Sequence, residues 1–150
     1  MLDREILLNA YRLMYSVKIM SETYDANRQI CKYVHSTSRG HEAIQLATAF
    51  QLQQQDWISP YYRDESILLG LGYSPFQLML QLLTKADDPF TGGRSYYSHP
   101  ANKDADKVKI IHQSSAIGMQ VIPTTGIAQG IQYLERVGSK QLAMATRNNC

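Results

Sequence analysis

Cysteine is scarce in this sequence: Cys31 and Cys150 are the only two among 150 residues. Two distant cysteines make no disulfide framework, so reduced thiols are expected. The histidines His35, His41, His99 and His112 stand far apart, and zinc-ligand spacing is missing. No P-loop, GxGxxG fingerprint or GxSxG elbow is present. No apolar run approaches a transmembrane span, and the start at Asp3, Arg4 and Glu5 lacks a signal core. A membrane partner is therefore not expected. Net charge is only +2, with Lys and Arg scattered, which argues against nucleic acid. The expected location is cytoplasmic, or the mitochondrial matrix in a eukaryote.

What remains is a globular composition, 44% hydrophobic and 19% charged. Ile6, Leu7, Ala10, Leu13, Met14, Val17 and Met20 recur at helical spacing, and Tyr24 extends the stripe. They predict one helix over 3–29, packed through this face, with part of it available to a partner chain. A polar stretch at 36–40 breaks it. A second helix starts near His41, where Glu42 suits the helix dipole, and runs to the Gln53-Gln54-Gln55-Asp56 stop. Ala43 and Ala47 on it would admit a close neighbour. Residues 57–62 read as extended, because Pro60 restricts Ser59. A short helix follows Asp64, ending at Gly70 and Gly72, and Ser74-Pro75 opens another over 75–84.

Residues 85–112 form the longest irregular region, with turns at Asp87-Asp88-Pro89 and Thr91-Gly92-Gly93. Arg94, Ser95 and His99 share it, as a polar ligand-facing rim or as plain exposed loop. A last helix is predicted over about 115–136, with Pro123 at a kink or boundary. Its Gly118, Gly126 and Gly130 are costly in a helix and call for close packing or a ligand. Gly138 opens a linker, and Leu142 to Ala145 is barely a strand. No convincing core strand is found, so the chain is expected to be a front portion, cut before most of a sheet.

Tyr61-Tyr62-Arg63-Asp64 carries the most suggestive chemistry. Arginine offers a rigid fork of donors matched to phosphate oxygens. The other reading is a surface ion pair from Arg63 to Asp64 or Glu65. Ser114-Ser115, placed just before the last predicted helix, reads as a cap.

Taken in order, Gly40-His41-Glu42-Ala43, Tyr62-Arg63-Asp64, Gly92-Gly93-Arg94 with His99, and residues Ser114 to Gln120 resemble the alpha subunits of thiamin-diphosphate-dependent 2-oxo acid dehydrogenases. The branched-chain (2-oxoisovalerate) and pyruvate types are the most similar, and the resemblance covers roughly 4–137. It implies an α/β fold of which residues 1–150 are the mostly helical N-terminal portion of one domain, truncated before most of the parallel sheet. It also implies a beta subunit or beta-like half, an alpha2beta2 assembly, a 2-oxo acid substrate and a lipoyl-bearing transacylase that receives the acyl group.

By this resemblance Tyr62 and Arg63 contact the diphosphate of thiamin diphosphate. Ser115 and Ile117 touch the aminopyrimidine, mostly through backbone groups, with Ile117 as an apolar wedge. His99 matches a loop histidine near the active-site entrance and is the catalytic candidate. Ser114 and Gln120 match two ligands of a structural potassium ion. Ala116 and Met119 replace a proline and a threonine of the branched-chain pattern, which removes one ligand oxygen. Magnesium ligands, from a Gly-Asp-Gly motif and a later asparagine, would follow residue 150, and the activating glutamate would come from the beta half. The alternatives are a transketolase-like or synthase enzyme using the same cofactor, and a noncatalytic helical interaction module.

Overall fold

The structure is a computed structural model that describes residues 3–31, 34, 36–95, 97–111 and 115–138. Helix α1 spans Arg4–Ala26, and the Asp3 side chain caps it by accepting from the Glu5 amide at 3.1 Å. The predicted stripe is only half used. Val17, Met20 and Tyr24 are buried, whereas Ile6 and Leu7 stay about half exposed. Among the described residues nothing covers the first turns, so periodicity there marks an apolar face without a neighbour.

Helix α2 (Glu42–Ala49) packs on α3 (Glu65–Gly70). The close approach expected at Ala43 and Ala47 occurs elsewhere, since both are exposed. It is Gly70 that lies against Ala49. A Cβ built on Gly70 would sit 2.5 Å from the Ala49 Cβ, so only glycine fits without movement. Gly72, at φ +92°, then turns the chain out of α3.

Helix α4 (Pro75–Leu82) starts as the sequence predicts. Ser74 Oγ accepts from the Gln77 amide while Gln77 Oε1 accepts from the Ser74 amide, a reciprocal capping box with proline in the first turn. Together α1, α3 and α4 enclose the core, where Met20, Tyr24, Leu68, Leu69, Leu78 and Leu82 meet.

The long irregular region is tightly bound. Asp88, 5% exposed, accepts from the amides of Phe90, Thr91 and Gly93 and from the Thr91 hydroxyl. It also contains a strand the sequence does not reveal. Strand β2 (Lys109–Ile110) pairs in parallel with β1 (Trp57–Ile58), Trp57 opposite Lys109 and Ile58 opposite Ile110. The described part is therefore mostly helical, with one two-stranded parallel sheet.

Helix α5 begins at Val121, not 115, and runs to Arg136. Turns fill 117–120, where Gly118 takes φ +84°, outside helical geometry. Pro123 lies in the first turn, where its missing N–H costs no intrahelical bond, so of the two expectations it marks the boundary and not a kink. No residue of α5 is buried. The close packing expected at Gly126 and Gly130 is not present among the described residues: a Cβ built on either would meet no neighbouring element within 4 Å. The 142–145 segment lies outside the described residues. Among those described, no helix is long and apolar enough to cross a membrane.

Candidate functional site

The site is assembled around the turn 61–64, which leads from β1 into α3. Asp64 builds this turn. Its Oδ2 accepts from the Tyr61 amide at 2.7 Å, and its own amide donates to the Tyr61 carbonyl at 2.9 Å. Asp64 Oδ1 accepts from Gln45 Nε2 at 2.9 Å. Burial raises the Asp64 carboxyl pKa, against the lowering effect of the Tyr61 amide and His41.

The Arg63 backbone is held twice. Its carbonyl accepts from Ser38 Oγ at 2.7 Å and from Gln45 Nε2 at 3.0 Å. Ser38 is buried and its hydroxyl also accepts from the Ser66 amide at 3.1 Å. The peptide is thus fixed while the side chain is exposed.

These bonds overturn the ion-pair reading of Arg63. Asp64 is engaged by Tyr61 and Gln45, and Glu65 is fully buried, bonded to Tyr97 and to the Ser38 amide. Among the described residues Arg63 pairs with no carboxylate. Its guanidinium lies 5.6 Å from the Tyr62 ring centre. The Tyr61 and Tyr62 rings lie 3.9 Å apart. Hydrogen bonding to Tyr61, then to Arg63, lowers the Tyr62 phenol pKa. Partial burial and the Tyr62 hydroxyl push Tyr61 up to about 12. An exposed cation on a clamped backbone, beside the Tyr62 phenol, suits an anionic, phosphate-bearing ligand.

The same turn reaches the second predicted segment. Tyr61 donates its hydroxyl proton to the Ser115 carbonyl at 3.0 Å. Ser115 is not a helix cap, since it precedes α5 by several residues. Its hydroxyl lies 2.7 Å from His99 Nε2. His99 is 4% exposed, so it does not share a rim with the exposed Arg94, whose Nε donates to the Thr91 carbonyl. The structure therefore brings Tyr62, Arg63, Ser115 and His99 into one region through Tyr61.

Ile117 follows at 84% exposure, an apolar side chain held out from the fold. Gln120 is half-buried and lines an open cleft with Ser59, Val121 and Thr124. Ser114 lies outside the described residues, so the potassium pair has one placed member. Among the described residues no cluster of three His, Cys, Asp or Glu forms a metal site. Cys31 is a free thiol, raised in pKa by burial.

Sequence reasoning missed Tyr61 as the bridge, Ser38 and Gln45 as clamps of Arg63, and the Glu65–Tyr97 contact. The spacing from Tyr61 to Asp64 was a readable signal for the turn. The others join residues far apart in the chain and left no local signal.

A family model described as the dehydrogenase E1 component matches residues 11–146. The 2-oxoisovalerate dehydrogenase subunit alpha of Bacillus subtilis (strain 168) is 38% identical over 91 residues, covering 60% of this chain and 27% of that protein. The mitochondrial 2-oxoisovalerate dehydrogenase subunit alpha of Caenorhabditis elegans is 32% identical over 127 residues, 84% of this chain and 28% of that protein. The pyruvate dehydrogenase E1 component subunit alpha of Bacillus subtilis (strain 168) is 29% identical over 133 residues, 89% of this chain and 32% of that protein. The chain spans about a third or less of the length of these relatives.

Proposed function

Since the chain belongs to the dehydrogenase E1 component family, we propose that it supplies the diphosphate and aminopyrimidine contacts of a thiamin-diphosphate-dependent 2-oxo acid dehydrogenase, as the N-terminal part of the alpha subunit. The resemblance read from the sequence to such alpha subunits is borne out by the family match. The single observation that carries the site assignment is the state of Arg63: backbone clamped, side chain exposed, and neighbouring carboxylates engaged elsewhere.

In this reading the Arg63 guanidinium offsets diphosphate charge and Tyr62 donates a hydrogen bond to it. Ser115 meets the aminopyrimidine, and Ile117 supplies apolar contact beside it. When bound, the cofactor supplies the electron sink for decarboxylation. His99 acts from behind Ser115, since its ring is buried against that hydroxyl. The magnesium ligands and the cofactor-activating carboxylate would come from other parts of the assembly, and Gln120 with Ser114 would hold potassium.

The exposed apolar residues Ile6, Leu7 and Tyr11 of α1, and Ile122, Ile131 and Tyr133 of α5, support burial against a beta subunit or further chain. The acyl acceptor is the lipoyl group of a transacylase. The test is decarboxylation of a series of 2-oxo acids by the full-length protein with its beta partner. Turnover that needs thiamin diphosphate and differs between branched and unbranched acids supports the reading and names the substrate. An assembly that binds the cofactor but turns over only sugar phosphates would contradict it.

A further inference from the structure

Glu65 is fully buried, yet no Lys, Arg or His among the described residues forms an ion pair with it. A buried carboxyl needs compensating hydrogen bonds. It takes them from the Tyr97 hydroxyl and, at 3.4 Å, from the Ser38 amide. The Tyr97 hydroxyl also lies 2.9 Å from the Tyr24 hydroxyl, and the two rings meet edge-on. Both phenols are buried, so this carboxyl and two phenols form a polar cluster inside the core.

The cluster continues toward the site. Ser98 takes φ 54°, a left-handed conformation unfavourable for a side-chain-bearing residue. That turn folds the Tyr97 carbonyl back onto His99 Nδ1 at 2.7 Å. A carbonyl only accepts, so Nδ1 carries the proton. In the neutral ring Nε2 is then an acceptor, and the Ser115 hydroxyl at 2.7 Å donates to it. Gln81 Nε2 holds the His99 carbonyl at 3.2 Å. With the ring neutral, the Ser115 proton is committed inward, and its oxygen is presented outward as an acceptor.

We propose that Glu65 is a positioning residue: through Tyr97 and His99 it fixes the imidazole tautomer and orients the Ser115 hydroxyl to accept a hydrogen bond from an N–H of the ligand. Glu65 also begins α3, two residues after Arg63, so one buried group steadies both halves of the site. Burial, which pushes this carboxyl up to about 7, agrees with the lack of a paired cation among the described residues. The ligand part rests on the thiamin diphosphate reading, whereas the link from Glu65 to His99 does not.

The test uses Tyr97→Phe, which keeps the ring and the backbone carbonyl, and Glu65→Gln, which keeps the shape of the carboxyl. Full-length protein with its beta partner is labelled at histidine nitrogen and titrated with thiamin diphosphate and magnesium. The expected result is a displaced Nδ1–H resonance of His99 in both variants, and affinity weaker by about three- to tenfold from the lost hydrogen bond. Arg63→Ala should weaken binding while leaving the His99 resonance in place. An unchanged His99 resonance in both Tyr97→Phe and Glu65→Gln overturns the proposal, whether or not the cofactor binds. A displaced resonance with unchanged cofactor affinity overturns the role assigned to Ser115. Should Tyr97→Phe fail to fold, Glu65→Gln decides on the same readout. Failure of the wild-type assembly to bind the cofactor, with a displaced resonance, would sink the cofactor reading and uphold the link.

Discussion

The Ser38 hydroxyl donates to the Arg63 carbonyl across 2.7 Å, joining the segment before α2 to the turn before α3. That hydroxyl also accepts from the Ser66 amide, so one buried side chain serves both sides of the turn. Ser38→Ala should leave the Ser66 amide unsatisfied and cost roughly 1–3 kcal/mol. Urea unfolding of the two proteins measures it. A loss below a few tenths of a kcal/mol would mean that Gln45 alone holds the Arg63 backbone.

Gly70 and the α5 glycines give opposite expectations from one substitution. Gly70→Ala should destabilise by roughly 1–3 kcal/mol, because its Cβ would meet Ala49. Gly126→Ala meets nothing within 4 Å and should stabilise the isolated chain by roughly 0.5–1 kcal/mol. Thermal melts of both variants test the pair. If Gly126→Ala also weakens assembly with the beta partner, the glycine serves a contact outside this chain.

Lys109 places its ammonium among the carbonyls of Gln54, Asp104, Ala105 and Lys107, at 2.8 to 3.3 Å. It is 7% exposed, so this cage replaces water and joins the segment before β1 to the loop before β2. Lys109→Met should cost about 2–3 kcal/mol through unsatisfied carbonyls, and hydrogen exchange should accelerate in 104–107. Unaltered exchange there would contradict the cage as the loop's anchor.

Stability should fall as pH rises from the ordinary glutamate range to neutrality. Burial of Glu65 raises its pKa from 4.5 to about 7, so the folded state binds its proton more tightly than the unfolded state does. The stabilisation is complete below about 4.5 and is lost as pH passes through 7, on the order of 3 kcal/mol in all. The groups facing it are Tyr24, Tyr97 and the Ser38 amide, with Cys31 close to Tyr24. Asp64, also raised by burial, adds to the slope at its acid end. Glu65→Gln should flatten the profile between pH 5 and 7 in guanidinium unfolding. An unchanged slope in that variant would assign the effect to other groups.

The local elements were legible where the signal was local. Ser74, Pro75 and Gln77 spell their own helix start, and the stripe from Leu13 to Tyr24 marks the inner face of α1. Strand β1 falls in the segment read as extended, but β2 and the pairing were not legible, because two residues carry no periodicity and the pairing joins distant parts of the chain. The reading of Arg63 as a phosphate contact was available from the residue types, but the engagement of Asp64 by Gln45 decides against the ion pair. Glu65 gave the least warning. An acidic residue beside Arg63 and Asp64 reads as surface, and only the fold turns it inward onto Tyr97.

The central claim is that Arg63 holds a diphosphate. The most direct measurement is calorimetric titration of thiamin diphosphate with magnesium into the full-length protein and its beta partner, wild type against Arg63→Ala. The account predicts tight binding by the wild type and roughly ten- to a hundredfold weaker binding by the variant, from a lost charge-assisted contact. Equal affinities would contradict the assignment of Arg63 to the diphosphate.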